Sequence, residues 1–186
     1  MKQLMVDIET MGTSPVSPIL TIGAVFFEPS TGEIGPQFYQ VATLRSEMDN
    51  GAVPDADTIM WWMQQSEQAR SALAAKASAI NEVLTDLSSF ALYHAPAKFI
   101  QVWGNGASFD NVLLRDAYRR AQIPPFWNFW NDRDVRTIVD LGRQLGFDPK
   151  RDMPFTGEQH NALDDAIHQA KYVSAIWQML VPTNSD

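Results

Sequence analysis

The stretch Gln3-Leu4-Met5-Val6-Asp7-Ile8-Glu9 reads as a β-strand with alternating faces. Leu4, Val6 and Ile8 point one way; Met5, Asp7 and Glu9 point the other. Apart from its two acids, the run has the composition of a central core strand. Two like charges side by side on such a strand are costly to bury and repel each other. Divalent cations would remove both costs. Asp-x-Glu is also what a wet-faced edge strand shows, so the spacing alone leaves both readings open.

Ile19 to Phe27 is a second apolar run, Ser30-Thr31-Gly32-Glu33 a turn, and Ile34 to Ala42 a third strand; together they predict an antiparallel meander. A helix follows over Asp55 to Gln64, with Asp55 or Asp57 as its cap, and a second over Ser78 to His94. Phe99 to Trp103 reads as a short buried strand ending in Gly104-Asn105-Gly106. Ser108 or Phe109 opens a helix that stops before Pro124-Pro125. A strand near Arg133 to Arg136 leads into a helix through Leu145. The last helix covers Asn161 to Leu180, with an apolar stripe of Leu163, Ala166, Ile167, Ala170, Ser174 and Trp177. Three strands, then helices alternating with two more strands, predict an α/β fold: a mixed five-stranded sheet flanked by helices on both faces. With no repeat and no linker, residues 1–186 are expected as a single domain.

The apolar fraction of 45% and charged fraction of 19% mark a globular chain. There are no cysteines, which excludes disulfides, thiolate metal sites and a cysteine nucleophile. The N-terminus is too short in apolar residues for a signal peptide, and no stretch approaches the ~20 apolar residues of a membrane helix, so a soluble, cytoplasmic protein is expected. The net charge of −8 argues against a broad basic nucleic-acid face. Its distribution is uneven. Residues 98–151 hold nine bases against six acids, including Arg115, Arg119, Arg120, Arg133, Arg136, Arg143, Lys150 and Arg151. That segment reads either as a local cationic island or as solvated helix faces.

Two more features carry chemistry. Trp103-Gly104-Asn105-Gly106-Ala107-Ser108-Phe109-Asp110 ends an apolar strand in small residues and delivers an acid near a helix start. Alone, Asp110 reads equally as a first-turn acid favoured by the helix dipole. His160-Asn161-Ala162-Leu163-Asp164-Asp165 places a histidine just before a long helix and acids in its first turns. Asp165 falls off the apolar stripe, toward either a cleft or open solvent. His94 and His168 sit in ordinary helical stretches and receive no role.

In this order, the three features resemble the DEDD exonuclease superfamily in its histidine branch, DEDDh. Its members include oligoribonuclease, RNase T and the proofreading exonuclease subunits of replicative polymerases. The motifs are Asp7-Ile8-Glu9-Thr10-Met11-Gly12, Asn105 through Asp110, and His160 followed after four residues by Asp165. The resemblance spans residues 5 to about 175. Thr58-Ile59-Met60-Trp61-Trp62-Met63-Gln64-Gln65-Ser66 and Trp103-Gly104-Asn105-Gly106 look closest to the group holding phage exonucleases and a mycobacterial 3′→5′ exoribonuclease.

The resemblance implies a ribonuclease-H-like fold and a metal-dependent 3′→5′ exonuclease that releases nucleoside 5′-monophosphates from the 3′ ends of single-stranded RNA or DNA. Asp7, Glu9, Asp110 and Asp165 would hold two Mg²⁺ or Mn²⁺ ions, a donor set suited to hard cations. One ion would activate a water and the other stabilise the leaving 3′-oxygen. His160 would be the general base. Asp164 is a rival to Asp165, but the offset from His160 favours Asp165. Thr10, Met11 and Gly12 would lie against the terminal nucleotide, with Asn105 and Phe109 as further contacts. Trp61 or Trp62 would stack a base, although an adjacent pair on an amphipathic helix also puts at least one ring in the core. Phosphate affinity would then rest on the metals and the cationic middle segment. Relatives are often homodimers, and six tryptophans supply candidate anchors. Two other readings compete: a catalytically silent module that binds nucleic acid or a partner, and a metal-dependent endonuclease on a related fold.

Overall fold

The computed structural model describes residues 1–73 and 76–181. Residues 74–75 and 182–186 of the expected domain lie outside the described residues. Five strands, β1 (Gln3–Thr10), β2 (Ile19–Glu28), β3 (Glu33–Val41), β4 (Gln101–Gly104) and β5 (Asp132–Asp134), form one sheet in the order β3-β2-β1-β4-β5. β1, β2 and β3 run antiparallel to their neighbours as the expected meander. β4 and β5 lie parallel to β1 on its other side. The Asp-x-Glu strand is therefore the middle strand of the sheet and not a wet edge.

The described helices are α1 (Leu44–Asp49), α2 (Ala56–Met63), α3 (Glu67–Leu73), α4 (Ile80–His94), α5 (Asp110–Arg120), α6 (Val135–Gln144), α7 (Pro149–Asp152) and α8 (Ala162–Leu180). The alternation of β1 divides the core between the two faces. Leu4, Val6 and Ile8 pack with Ile22, Phe26, Leu84 and Leu114 on one side. Met5 packs with Val25, Trp103, Ala166 and Val173 on the other. Each of the larger aliphatic side chains among them contributes roughly 1.5–3 kcal/mol. Asp7 and Glu9 continue the Met5 face, so β1 aims both acids toward α8.

Several boundaries move from expectation. Phe99 is not in β4: Ala97–Phe99 form a 3₁₀ turn and leave its ring 43% exposed. Arg136 is helical and not in a strand, because the Asp134 side chain accepts the Thr137 N–H at 2.8 Å and starts α6 there. The buried face of α8 comprises Ala162, Ala166, Gln169, Ala170, Tyr172, Val173, Ser174 and Ile176. Leu163, Ile167 and Trp177 of the expected stripe are only partly buried. The sheet face beneath α8 carries two carboxylates, so the residues that meet it include a glutamine and a tyrosine.

Candidate active site

Asp7 pairs across the β1–β2 ladder with Gly23. A β-carbon added at Gly23 would overlap the backbone of Ala162 and Leu163. This missing side chain lets the first turn of α8 rest directly on the sheet beside Asp7. Asn161 caps that turn, its side chain accepting from the N–H groups of Leu163 and Asp164. His160 precedes the cap with φ +64, a left-handed bend that non-glycine residues adopt sparingly. The bend turns the His160 N–H onto Asp165 Oδ2 at 3.0 Å. Asp165, in turn, faces the sheet acids. Oxygens of Asp7, Glu9 and Asp165 all lie within 4.8 Å of one another. Asp164 is turned the other way, with Oδ2 accepting from the Glu158 N–H at 2.9 Å.

Asp110 reaches the same place from β4. Gly104 has no room for a side chain, because Asn111 and Asp110 lie over it. Asn111 donates to the Val102 carbonyl at 3.0 Å and to Asp132 at 2.9 Å. Asp132 is gripped further by Arg115 and by the Trp127 indole. This half-buried lattice fixes the start of α5, where Asp110 is only 3% exposed. Its Oδ2 is buried without a hydrogen-bond partner among the described residues. An orphaned buried carboxylate oxygen is costly unless something absent from the protein atoms satisfies it.

The electrostatics agree. Burial raises Asp7 well above the usual carboxylate range, and repulsion from Asp110, Glu9 and Asp165 adds to it. Burial, then Asp165 and Asp110, push Glu9 up to about 8. Burial raises Asp110 to about 7, partly offset by backbone N–H groups and the Arg136 guanidinium. Burial also takes Asp165 to about 6. Four carboxylates that resist ionising together, with oxygen as the only donor, fit hard divalent cations such as Mg²⁺ or Mn²⁺.

The aromatic flank comes from α2. Trp62 is 4% exposed, and its Nε1 donates to the Thr10 carbonyl at 2.9 Å. Trp61 is 42% exposed. Its ring stands edge-on to His160, centroids 5.1 Å apart. Of the tryptophan pair, Trp61 is thus the ring open to a ligand. Thr10 is buried and spends its hydroxyl on the Gly12 carbonyl, so neither Thr10 nor buried Gly12 presents a free side-chain donor; Met11 is half-buried. Asn105 lines a cavity next to Asp165. Phe109 packs against the main core, which leaves its ring little to offer a ligand.

Sequence reasoning missed Gln169. It lies four residues after Asp165 on α8, is 4% exposed, and donates from Nε2 to Asp7 Oδ1 at 2.7 Å. Its signal was a polar residue at helical spacing from Asp165 on the face that meets the sheet. Most of the cationic segment is paired off within the protein. Arg115, Arg119, Arg120, Arg143 and Arg151 are all ion-paired. Arg133 donates to the carbonyls of Trp130 and Asp132.

Among solved structures, the nuclease domain of 3′hExo, described as a DEDDh family member bound to rAMP, superposes with a TM-score of 0.58 at 18% identity, over 96% of this chain and 91% of that one. Exonuclease I of E. coli in complex with a dA16 oligonucleotide gives 0.70 at 16% identity, over 97% of this chain and 41% of that one. These likenesses show a shared fold. An exodeoxyribonuclease of Enterobacteria phage T4 is 25% identical over 166 residues, 75% of this chain and 71% of the phage protein. Residues 2–177 match the model of the 3′-5′ exoribonuclease Rv2179c-like domain, and the chain belongs to that family of 3′–5′ exonucleases.

Proposed function

We propose that this chain removes nucleotides one at a time from the 3′ end of single-stranded nucleic acid, releasing nucleoside 5′-monophosphates. The observation that carries the reading is the convergence of Asp7, Glu9 and Asp165 within 4.8 Å, with Asp110 beside Asp7 and its Oδ2 orphaned. Asp7, Glu9, Asp110 and Asp165 would hold two divalent ions. When bound, these supply charge neutralisation for the attacking water, the phosphate and the leaving oxygen.

The chain's own groups do the rest. His160, against Trp61 and at the mouth of the carboxylate cluster, accepts the proton of the attacking water. The water oxygen forms the new bond to phosphorus as the bond to the 3′-oxygen of the preceding nucleotide breaks. That oxygen leaves with a proton from solvent. Trp61 offers its exposed ring to the terminal base, a contact worth ~1–3 kcal/mol. Gln169 holds Asp7 in one orientation. RNA and DNA are both proposed substrates, since the matching family is described as exoribonuclease and the phage relative as an exodeoxyribonuclease. The test is a 5′-labelled single-stranded oligomer with Mg²⁺ or Mn²⁺, in matched RNA and DNA forms and with a circular control. A 3′-shortened ladder and an intact circle support the reading; cleavage of the circle refutes it in favour of an endonuclease.

A further inference from the structure

Three of the four carboxylates have a hydrogen-bond donor of their own. Asp7 Oδ1 accepts from Gln169 at 2.7 Å. Asp165 Oδ2 accepts from the His160 N–H at 3.0 Å, and Asp110 accepts from backbone N–H groups. Glu9 has no such donor among the described residues; its surroundings, burial first and then Asp165 and Asp110, only favour its protonated form. Thr21 stands directly across the β1–β2 ladder from Glu9. It lies two residues before Gly23 on β2, so its side chain shares the sheet face of Asp7 and Glu9. Thr21 is 1% exposed, and its Oγ1 is buried without a hydrogen-bond partner among the described residues. An unmatched acceptor and an unmatched donor thus face each other on one rung of the sheet.

Strand formation does not require this hydroxyl. From Ile19 to Phe27, Thr21 is the one residue of β2 with a polar side chain. Valine has the same branching and the same strand preference, and it would bury no unpaired polar atom. Side chains directly opposite on an antiparallel pair have β-carbons about 4.5–5.5 Å apart, a gap that the side-chain torsions of a threonine and a glutamate can close to a hydrogen bond. Tyr39 is the other hydroxyl near Glu9: half-buried on β3, it lies across from Gly23, next to the rung of Thr21, and both Glu9 and Asp164 raise its pKa. We propose that Thr21 is a positioning residue for Glu9, its hydroxyl donating to the ionised carboxylate and holding it toward Asp7 and Asp165. A carboxylate that accepts such a bond keeps one orientation and binds a metal more tightly for it. The inference rests on the exonuclease reading above, which makes Glu9 a metal ligand, and adds the partner that orients it.

Two measurements made together test this: Mn²⁺ affinity, from the electron paramagnetic resonance signal of free Mn²⁺, and urea unfolding of the metal-free protein. Thr21→Val should raise the Kd for Mn²⁺ roughly tenfold or more, the usual effect of removing the hydrogen-bond partner of a metal ligand. The metal-free variant should unfold at the same urea concentration as the wild type or a higher one, because valine leaves no buried hydroxyl unpaired. Thr21→Ser, which keeps the hydroxyl, should restore most of the affinity. Tyr39→Phe should leave the Kd unchanged. A wild-type Kd in Thr21→Val overturns the role of Thr21 while leaving the exonuclease intact. So does a loss of affinity matched by an equal loss of metal-free stability, or one seen in Tyr39→Phe alone. A wild type that neither binds Mn²⁺ nor shortens an oligonucleotide removes the exonuclease reading and the role of Thr21 with it.

Discussion

Replacing Gly23, the cross-strand partner of Asp7, by alanine adds only one methyl group, yet it should disable the site. The new β-carbon would overlap the Ala162 carbonyl group and the Leu163 nitrogen. All of these are backbone atoms in a capped helical turn, so no side chain can swing aside. Since carbon contacts settle near 3.5 Å, the first turn of α8 must retreat by about 1 Å. Overpacking of this kind costs about 1–3 kcal/mol. The larger effect falls on geometry. Asp165 lies in that turn, and its carboxylate meets Asp7 and Glu9 within 4.8 Å; misplacing a catalytic group by about 1 Å typically costs on the order of a hundredfold in rate. Urea unfolding of the Gly23→Ala protein should show the modest loss of stability. Mn²⁺ titration and oligonucleotide hydrolysis below its unfolding midpoint should show the much larger loss of affinity and kcat. A variant that keeps wild-type stability and kcat would refute the claim that α8 is seated through Gly23.

Other outcomes follow from the same geometry. Gln169→Leu removes the donor to Asp7 and also a glutamine whose Oε1 is buried without a partner; Mn²⁺ affinity or activity should drop about 10–100-fold while calorimetry shows little or no loss of stability, and an equal loss of both would contradict a positioning role. The pKa values of Asp7, Glu9, Asp110 and Asp165 are all raised in the folded chain. Folding therefore favours their protonated forms, and the metal-free protein should lose stability as pH rises from about 4 through about 8. Saturating Mn²⁺, at a hundredfold over its Kd, should add roughly 2.7 kcal/mol at neutral pH; a flat metal-free melting profile from pH 5 to 8 would contradict the crowded carboxylates. Arg120 is buried with Glu47 at 2.8 Å and also pairs with Asp116; Arg120→Ala should cost about 3–5 kcal/mol in urea, and a cost below about 1 kcal/mol would show the pair to be solvated.

Some of this was legible in the residues themselves. The β1 alternation placed Met5, Asp7 and Glu9 on one face, and the sheet bears this out because a period of two leaves no other choice. Asp110, His160 and Asp165 had no comparable local argument. Their convergence depends on long-range seating, through Gly23 under α8 and Gly104 under Asp110, which only the family resemblance anticipated. A linear charge tally could not choose between a cationic island and solvated helix faces for residues 98–151, because it is blind to pairing: Arg115 finds Asp132 17 residues on, and Arg120 finds Glu47 73 residues back. Helices α1, α3 and α7 are four to seven residues long, too short to show a helical period. The stripe on α8 was assigned by apolarity, which necessarily passed over Gln169, the residue that faces the sheet because a carboxylate is there.

The most direct test of the account is the product pattern of a 5′-labelled single-stranded oligonucleotide incubated with Mn²⁺, comparing the wild type with Asp7→Ala. The wild type should shorten the oligonucleotide stepwise from the 3′ end and release nucleoside 5′-monophosphates. That shortening should be lost in the variant and in the presence of a chelator. Undegraded substrate with the wild type, or an unchanged ladder with Asp7→Ala, would contradict it.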